Sequence, residues 1–181
     1  MKGKNIIIGI TGSIAAHKSC EIIRSLVKKG ANIIPVMTKN ACNFITPLSV
    51  SVLSKNKAYV DMFGTISDWE VEHISISRKA DLMIIAPASA NIIAKLACGL
   101  ADDALSTLVL AVKCPVVVCP AMNSAMYANR IVQKNIAALK ESGMIFIGPE
   151  NGELACGTEG KGRMSEPDKI VSEIDKMLSL K

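Results

Sequence analysis

Residues 116–119 read Val-Val-Val-Cys, an unbroken apolar run with three β-branched side chains, and Pro120 follows at once. A strand apolar on both faces needs cover on both faces, which a parallel sheet between two helical layers provides. Proline has no N–H to give to a ladder, so the strand ends at Pro120. Similar short runs recur at 5–10, 32–37 and 82–86, each followed by a stretch of helical period. Beyond Pro120 a polar residue, Asn123, stands between Met122 and Met126. Ligands of open parallel sheets sit just past the carboxyl ends of the strands, so Asn123 occupies a position where chemistry is expected. It is also the residue type that caps a following helix, and both roles stay open.

Taken in order, the strand at 5–10 turns through Thr11-Gly-Ser13 into a helix with Ile22, Ile23, Leu26 and Val27 at helical spacing. Gly30 ends it as the residue past the cap. The second strand, 32–37, contains Pro35, which argues against a central position in a sheet. Thr46-Pro47 opens a short helix as cap and first residue, and 58–60 is a brief third strand. A loop over 64–73 and a short helix over 74–80 lead to the strand at 82–86. A helix stopping at Gly99 and another over 104–111 precede the run at 116–119. A helix over 130–142 presents Val132, Ile136 and Leu139 on one face, Gly143 closes it, and 144–147 is the last strand. Residues 148–164 carry five glycines and no apolar period, which predicts a loop. Ser165 then caps a terminal helix with the face Ile170, Ile174, Met177 and Leu178, and Glu166 and Asp168 suit its positive end. The alternation predicts an α/β, doubly wound sheet of about six parallel strands with helices on both faces, Rossmann- or flavodoxin-like.

The length, 181 residues, suits one domain spanning 1–181. Half the residues are hydrophobic but only 3% are aromatic, so stacking platforms for single-stranded nucleic acid are missing and no nucleic-acid partner is expected. The net charge of +5 comes from scattered pairs such as Lys28-Lys29 and Arg78-Lys79, the pattern of a solvated face. Six cysteines make no CxxC pair and no Cys/His array, so neither a metal site nor a disulfide scaffold is expected. Cys20, Cys42, Cys98, Cys114 and Cys119 lie in or beside apolar segments, where they fit as small core residues. The first strand begins directly after Met1-Lys-Gly-Lys4 and is too short for a signal peptide. Pro87, Lys95, Gly99, Asp102 and Asp103 interrupt the apolar stretch 82–118, so no membrane span is expected and a reducing cytoplasm is. Residues 91–111 are apolar around more of the helix circumference than one core face needs, which predicts subunit contacts.

The first turn lacks the full G-x-G-x-x-G spacing and is no Walker loop, so a dinucleotide site has little support. Gly12 permits a tight turn, and backbone N–H groups at a helix start hold phosphate. Thr38, Ser89 and Ser106-Thr107 add hydroxyls suited to a mononucleotide phosphate and a ribityl chain, though each type also serves as cap or turn residue. His17 falls within the first helix, and His73 stands at a loop-to-element junction, a good position for a base. Cys156 lies in a Gly-rich, charged segment, residues 153–164, instead of a core. There Lys161 and Arg163 can meet an anion and the thiol can give or take a proton, unless the segment is a surface loop with an incidental thiol.

Five stretches together, Gly12-Ser-Ile-Ala-Ala-His-Lys18, His73-Ile, Ala86-Pro-Ala-Ser-Ala-Asn91, Pro120-Ala-Met-Asn-Ser-Ala-Met126 and Ala155-Cys-Gly with Gly162-Arg-Met164, resemble the flavin-containing cysteine decarboxylases. The likeness runs from about Lys4 to the terminal helix, and His17 stands where that family commonly has tyrosine. The resemblance implies FMN at the switch point of the sheet, held by Gly12, Ser13, Thr38, Ser89, Ser106 and Thr107. It implies a homotrimer, or a dodecamer built from trimers, with His73 acting across a subunit boundary. Phosphopantothenoylcysteine is the implied small-molecule substrate, bound by Met122, Asn123, Ala155, Cys156, Lys161 and Arg163. Asn123 would orient its carboxylate, and Cys156 would supply a proton when the enethiol left by CO2 loss is reduced, in a cycle that is redox-neutral overall and needs no metal. A phosphopantothenoylcysteine ligase, fused or separate, is the implied protein partner. Relatives that stop at the enethiol, flavin prenyltransferases, and non-catalytic FMN-binding regulatory subunits share this outline. The pair of stretches at 120–126 and 155–164 points toward the full decarboxylase.

Overall fold

The computed structural model describes residues 1–61, 77–153, 155, 157 and 159–179. Its main sheet has five parallel strands: β1 (Asn5–Ile10), β2 (Asn32–Met37), β3 (Leu82–Ala88), β4 (Val116–Pro120) and β5 (Ile145–Phe146), in the order β2-β1-β3-β4-β5. The doubly wound expectation holds, with five strands in place of six. The missing strand is the one expected at 58–60, which shrinks to a single parallel bridge between Tyr59 and Val36. There Tyr59 N–H donates to Pro35 O at 3.0 Å and Met37 N–H donates to Tyr59 O at 2.7 Å. The nitrogens of residues 35 and 37 share one side of the strand, so the missing N–H of Pro35 falls on the outer edge and removes no bond to β1.

Alternation along each strand sends side chains into two cores. Ile6, Ile8, Ile10, Leu82, Ile84 and Val117 face a layer with Ile22, Ile23 and Leu26 of α1 (Ala16–Lys28), Val50 of α2 (Pro47–Ser54) and Ile170 and Ile174 of α7 (Pro167–Ser179). Ile7, Met83, Ile85, Val116 and Val118 face the other layer. That layer comprises α3 (Ala90–Ala97), α4 (Ala104–Ala111) and α6 (Arg130–Glu141), the last offering Ile136 and Leu139. A wholly buried isoleucine contributes about 1.5–3 kcal/mol, and Ile6, Ile7 and Ile8 are each 0% exposed. Gly9 lets α4 lie close on β1, since a Cβ there would stand 2.4 Å from Leu105 Cδ1.

Helix ends follow their local chemistry. Gly30 at φ +83° closes α1, with its N–H on Val27 O and that of Ala31 on Leu26 O. Thr46 caps α2 through its Oγ1, 3.1 Å from Ser49 N, with Pro47 as the first helical residue. Several expectations give way. Residues 148–164 are not a loop throughout: β6 (Glu150–Glu153) and β7 (Glu159–Arg163) pair as an antiparallel hairpin. Ser165 does not cap the terminal helix. Pro167 is its first residue, Ile170 N–H bonds Glu166 O at 3.1 Å, and Ser165 is wholly buried one position too early. Of the five cysteines expected in the core only Cys119 is buried, and burial pushes its thiol up to about 12. Cys98 is exposed, and Cys20, Cys42 and Cys114 are half-buried. The apolar excess of residues 91–111 is largely covered within the chain itself, by burial of Ile92, Ile93, Leu96, Leu105 and Leu108, leaving Leu100 and Leu110 exposed. Leu48 and Val52 of α2 are more exposed than either, at 74% and 68%. Among the described residues no helix is long and apolar enough to cross a membrane.

Candidate active site

The strand order reverses between β1 and β3, and the crevice beyond their carboxyl ends is where such sheets bind ligands. Thr11, only 1% exposed, joins the two strands: its hydroxyl donates to Pro87 O at 2.8 Å and accepts Ser89 N–H at 3.0 Å. Ser89 in turn caps α3, with its Oγ 3.4 Å from Ile92 N, so the unbonded N–H groups of the first turn of α3 open on the crevice. Across it Thr38 caps the 3-10 turn Lys39–Asn43 through Ala41 N–H. Gly12 is the closest approach of the two sides, since a Cβ there would meet Asn40 Cβ at 2.6 Å. The crevice encloses a cavity of about 580 Å³ with Gly12, Thr38, Asn40, Ser89, Asn91 and Asp103 among its walls.

Asp103 and Lys95 form its charged side. Lys95 Nζ lies 2.6 Å from Asp102 Oδ1 and 2.7 Å from Asp103 Oδ2. Burial alone would push the Asp103 carboxyl up, but the hydrogen bonds from Lys95 and Ser106 outweigh it and hold the group below the usual carboxylate range. Burial likewise opposes the charge on Lys95, and the two aspartates override it to raise the ammonium's pKa. Ser106, expected as a cofactor contact, is instead wholly buried and forms a capping box with Asp103 at the start of α4. Neither Ser106 nor Thr107 is among the walls of this cavity. Sequence reasoning missed Asp103, although an Asp three residues before a Ser ahead of an apolar run is a legible cap signal.

A second cavity, about 720 Å³, is lined by Ser13, the residue that follows Gly12 of the first. The turn at Ser13 and the start of α1 with His17 and Lys18 form one wall, and Met122 and Asn123 past β4 form another. The third is the hairpin, which contributes Ala155, Gly162 and Arg163. Ser13, expected beside the cofactor hydroxyls, thus faces this second space. The hairpin is seated by backbone contact: Met122 N–H donates to Gly162 O at 3.0 Å. A Cβ on Gly162 would come 2.2 Å from Met122 O, and one on Gly160 2.7 Å from Ser124 Cβ. The two sequence stretches at 120–126 and 155–164 are therefore brought into direct contact.

Asn123 holds both positions left open by the sequence. Its Oδ1 accepts Ala125 N–H at 2.8 Å, capping the short helix α5 (Ser124–Ala128), and it lines the second cavity. His17 is exposed on the same wall, with Nδ1 2.8 Å from Ile14 O. Lys161 is not among the walls; its ammonium sits 5.7 Å over the Tyr127 ring. Arg163 is, and its Nη2 meets Glu166 Oε1 at 2.5 Å, the same oxygen that lies 3.0 Å from Lys18 Nζ. His73 and Cys156, the expected base and proton donor, lie outside the described residues. Among the described residues no three metal-ligating side chains gather.

This architecture has close relatives. The chain is 43% identical over 176 residues to the coenzyme A biosynthesis bifunctional protein CoaBC of Bacillus subtilis, a match covering 97% of this chain and 43% of that one. It thus spans less than half the length of that relative. Among solved structures it is similar to a PPC decarboxylase mutant complexed with pantothenoylaminoethenethiol, at TM-score 0.84 and 30% identity over 99% of this chain and 100% of the other. It is also similar to the FMN-dependent cysteine decarboxylase SpaF, at TM-score 0.77 and 28% identity over 96% and 97% of the two chains. The model of the Flavoprotein family matches residues 1–179, and this chain belongs to that family.

Proposed function

We propose that this chain is a cytoplasmic FMN-dependent decarboxylase that converts 4′-phosphopantothenoylcysteine to 4′-phosphopantetheine in coenzyme A biosynthesis. The observation that carries the reading is a pair of cavities lined by consecutive residues, Gly12 in the one at the switch point and Ser13 in the one walled by Asn123 and the hairpin. On this reading the first space takes the cofactor and the second the substrate. The similarity to a CoaBC protein and to a PPC decarboxylase supports the substrate, and the likeness to an FMN-dependent cysteine decarboxylase supports FMN.

The first cavity fits a flavin mononucleotide on its own chemistry. Thr38 and Ser89 offer hydroxyls, the first turn of α3 offers N–H groups with the positive end of its dipole, and Gly12 lets the turn after β1 pack directly against Asn40. When bound, the flavin supplies the hydride chemistry that makes loss of CO2 from an N-acyl cysteine feasible. The protein's own part is to orient and enclose. Asn123 offers a neutral amide N–H to a carboxylate, which positions it without fixing it in an ion pair. Gly162 and Gly160 let the hairpin lie against that loop, which excludes water from the reacting end. His73 and Cys156 retain the base and proton-donor roles that the resemblance implies, and assembly as a trimer and a partner ligase belong to the same reading.

The test is direct. Purified protein should carry a visible flavin spectrum, release CO2 from phosphopantothenoylcysteine, and yield the saturated thiol by mass spectrometry. A product lighter by H2 would mark an enethiol-forming enzyme, and a yellow protein with no CO2 release would mark a binding subunit.

A further inference from the structure

Lys18 is the most enclosed charge of the second cavity. Its side chain is 14% exposed, yet among the described residues its ammonium makes one ion pair, with Glu166 Oε1. An ammonium has three donors, and an enclosed one with donors to spare favours a further acceptor. Arg163 converges on the same oxygen through Nη2. Its Nη1 reaches over β6, where a Cβ on Gly152 would stand 3.2 Å away. Both cations line the cavity, whereas Glu166 does not. Glu166 is held ionised by the Lys18 hydrogen bond, against a burial cost, with Arg163 adding to the effect. The carboxylate that does line the cavity, Glu153, sits at the opposite end of the hairpin, where it pairs in register with Glu159. The hairpin is therefore acidic toward its tip, while at its base Arg163 stands in register with Glu150, which Lys169 pairs at 2.8 Å.

We propose that Lys18 and Arg163 form an anion subsite for the phosphate that the substrate carries remote from its reacting cysteine, with Glu166 holding the two cations together. This rests on the decarboxylase reading above. The alternative tenant would be the reacting carboxylate, and transition-state logic argues against it. Charge leaves that group as CO2 departs, so two cations upon it would stabilise the ground state more than the transition state. A neutral amide at Asn123 suits the reacting carboxylate, and a cation pair suits an anion that keeps its charge throughout. Lys18 and Arg163 are thus specificity residues, and binding at their end contributes to holding the cysteine end in place.

The test compares kcat/KM for phosphopantothenoylcysteine and pantothenoylcysteine on flavin-loaded wild type, Lys18→Met, Lys18→Arg and Arg163→Lys. Wild type should prefer the phosphorylated compound by about tenfold or more, an effect carried in KM. Lys18→Met should reduce that ratio about tenfold, and Lys18→Arg should restore most of it. Arg163→Lys keeps a charge but loses the planar fork, and should reduce the ratio less. The ratio is insensitive to a general loosening of the fold, which lowers both values together; retained flavin absorbance and melting temperature check the same point. Equal losses on both substrates, or an unchanged ratio, overturn the subsite while leaving the decarboxylase reading intact. Failure of wild type to release CO2 from either compound overturns that reading and the subsite with it.

Discussion

The two cavities are lined by consecutive residues, Gly12 and Ser13, but are built by opposite means. The switch-point cavity is made of strand ends whose polar residues are already tied into the fold. Thr11 joins β1 to the end of β3, Ser89 and Thr38 cap the elements that follow their strands, and Asp103 caps α4. The second cavity depends on one hairpin, held by backbone contact of Gly162 with Met122 and by an ion triad at its base. The first is held by side-chain hydrogen bonds to the sheet and helix ends beneath it. The second is positioned by glycines, so a single methyl group reaches it. The difference suits a resident cofactor on one side and a substrate that enters and leaves on the other.

The largest effect should come from Gly162→Ala. Its Cβ would need the space of Met122 O, and overpacking of this kind costs about 1–3 kcal/mol. If the hairpin alone carries the strain, turnover falls about tenfold to a hundredfold while bound flavin, read by its absorbance, stays. Loss of flavin to the same degree would break the distinction between the two cavities. Thr11→Val tests the other side. It leaves Ser89 N–H without its acceptor, a cost of about 1–3 kcal/mol. Flavin affinity, measured by fluorescence titration, should fall roughly tenfold and Thr11→Ser should restore it.

Asn123→Asp sharpens the comparison from the second cavity's side. The carboxylate keeps the cap on Ala125 N–H, so the melting temperature should hold. It repels a substrate carboxylate, so KM should rise by about tenfold. An unchanged KM would leave Asn123 as a cap alone. The smallest effect concerns pH. Glu166 and Asp103 both have carboxyls held below their unfolded range, so their contribution is complete above the unfolded pKa and is lost as pH falls through the folded one. Stability to urea should therefore decline below about pH 4. Glu166→Gln should flatten part of that decline, but only slightly, because the group is nearly half exposed.

Much of the fold was legible because it follows from local pattern. The bounds of β1, β2 and α4 were anticipated, since an apolar run or helical period between turn signals marks both ends. The hairpin was not, because Glu150-Asn-Gly-Glu153 has no apolar face to announce a strand. Its order comes from the β4–α5 loop it lies on. The misplacement of the terminal cap has a local cause: Pro167, the residue favoured at the first helical position, outranked Ser165. Of the candidate site residues, Gly12, Ser13, Thr38, Ser89, Met122, Asn123, Ala155 and Arg163 line one cavity or the other.

The sequence by itself determined the layered parallel sheet, because apolar runs flanked by helical periods have few other ways to leave water. It also placed hydroxyls, glycines and Asn123 at strand ends, where ligands bind. Only the tertiary structure decided which hydroxyls open on a cavity and which, like that of Ser106, are taken up in a cap. It alone joined Lys18, Arg163 and Glu166, up to 148 residues apart, on one carboxylate oxygen. Hydrophobic period is a property of neighbours along the chain. Convergence of charges depends on how helices and hairpin pack, and a single sequence does not display it.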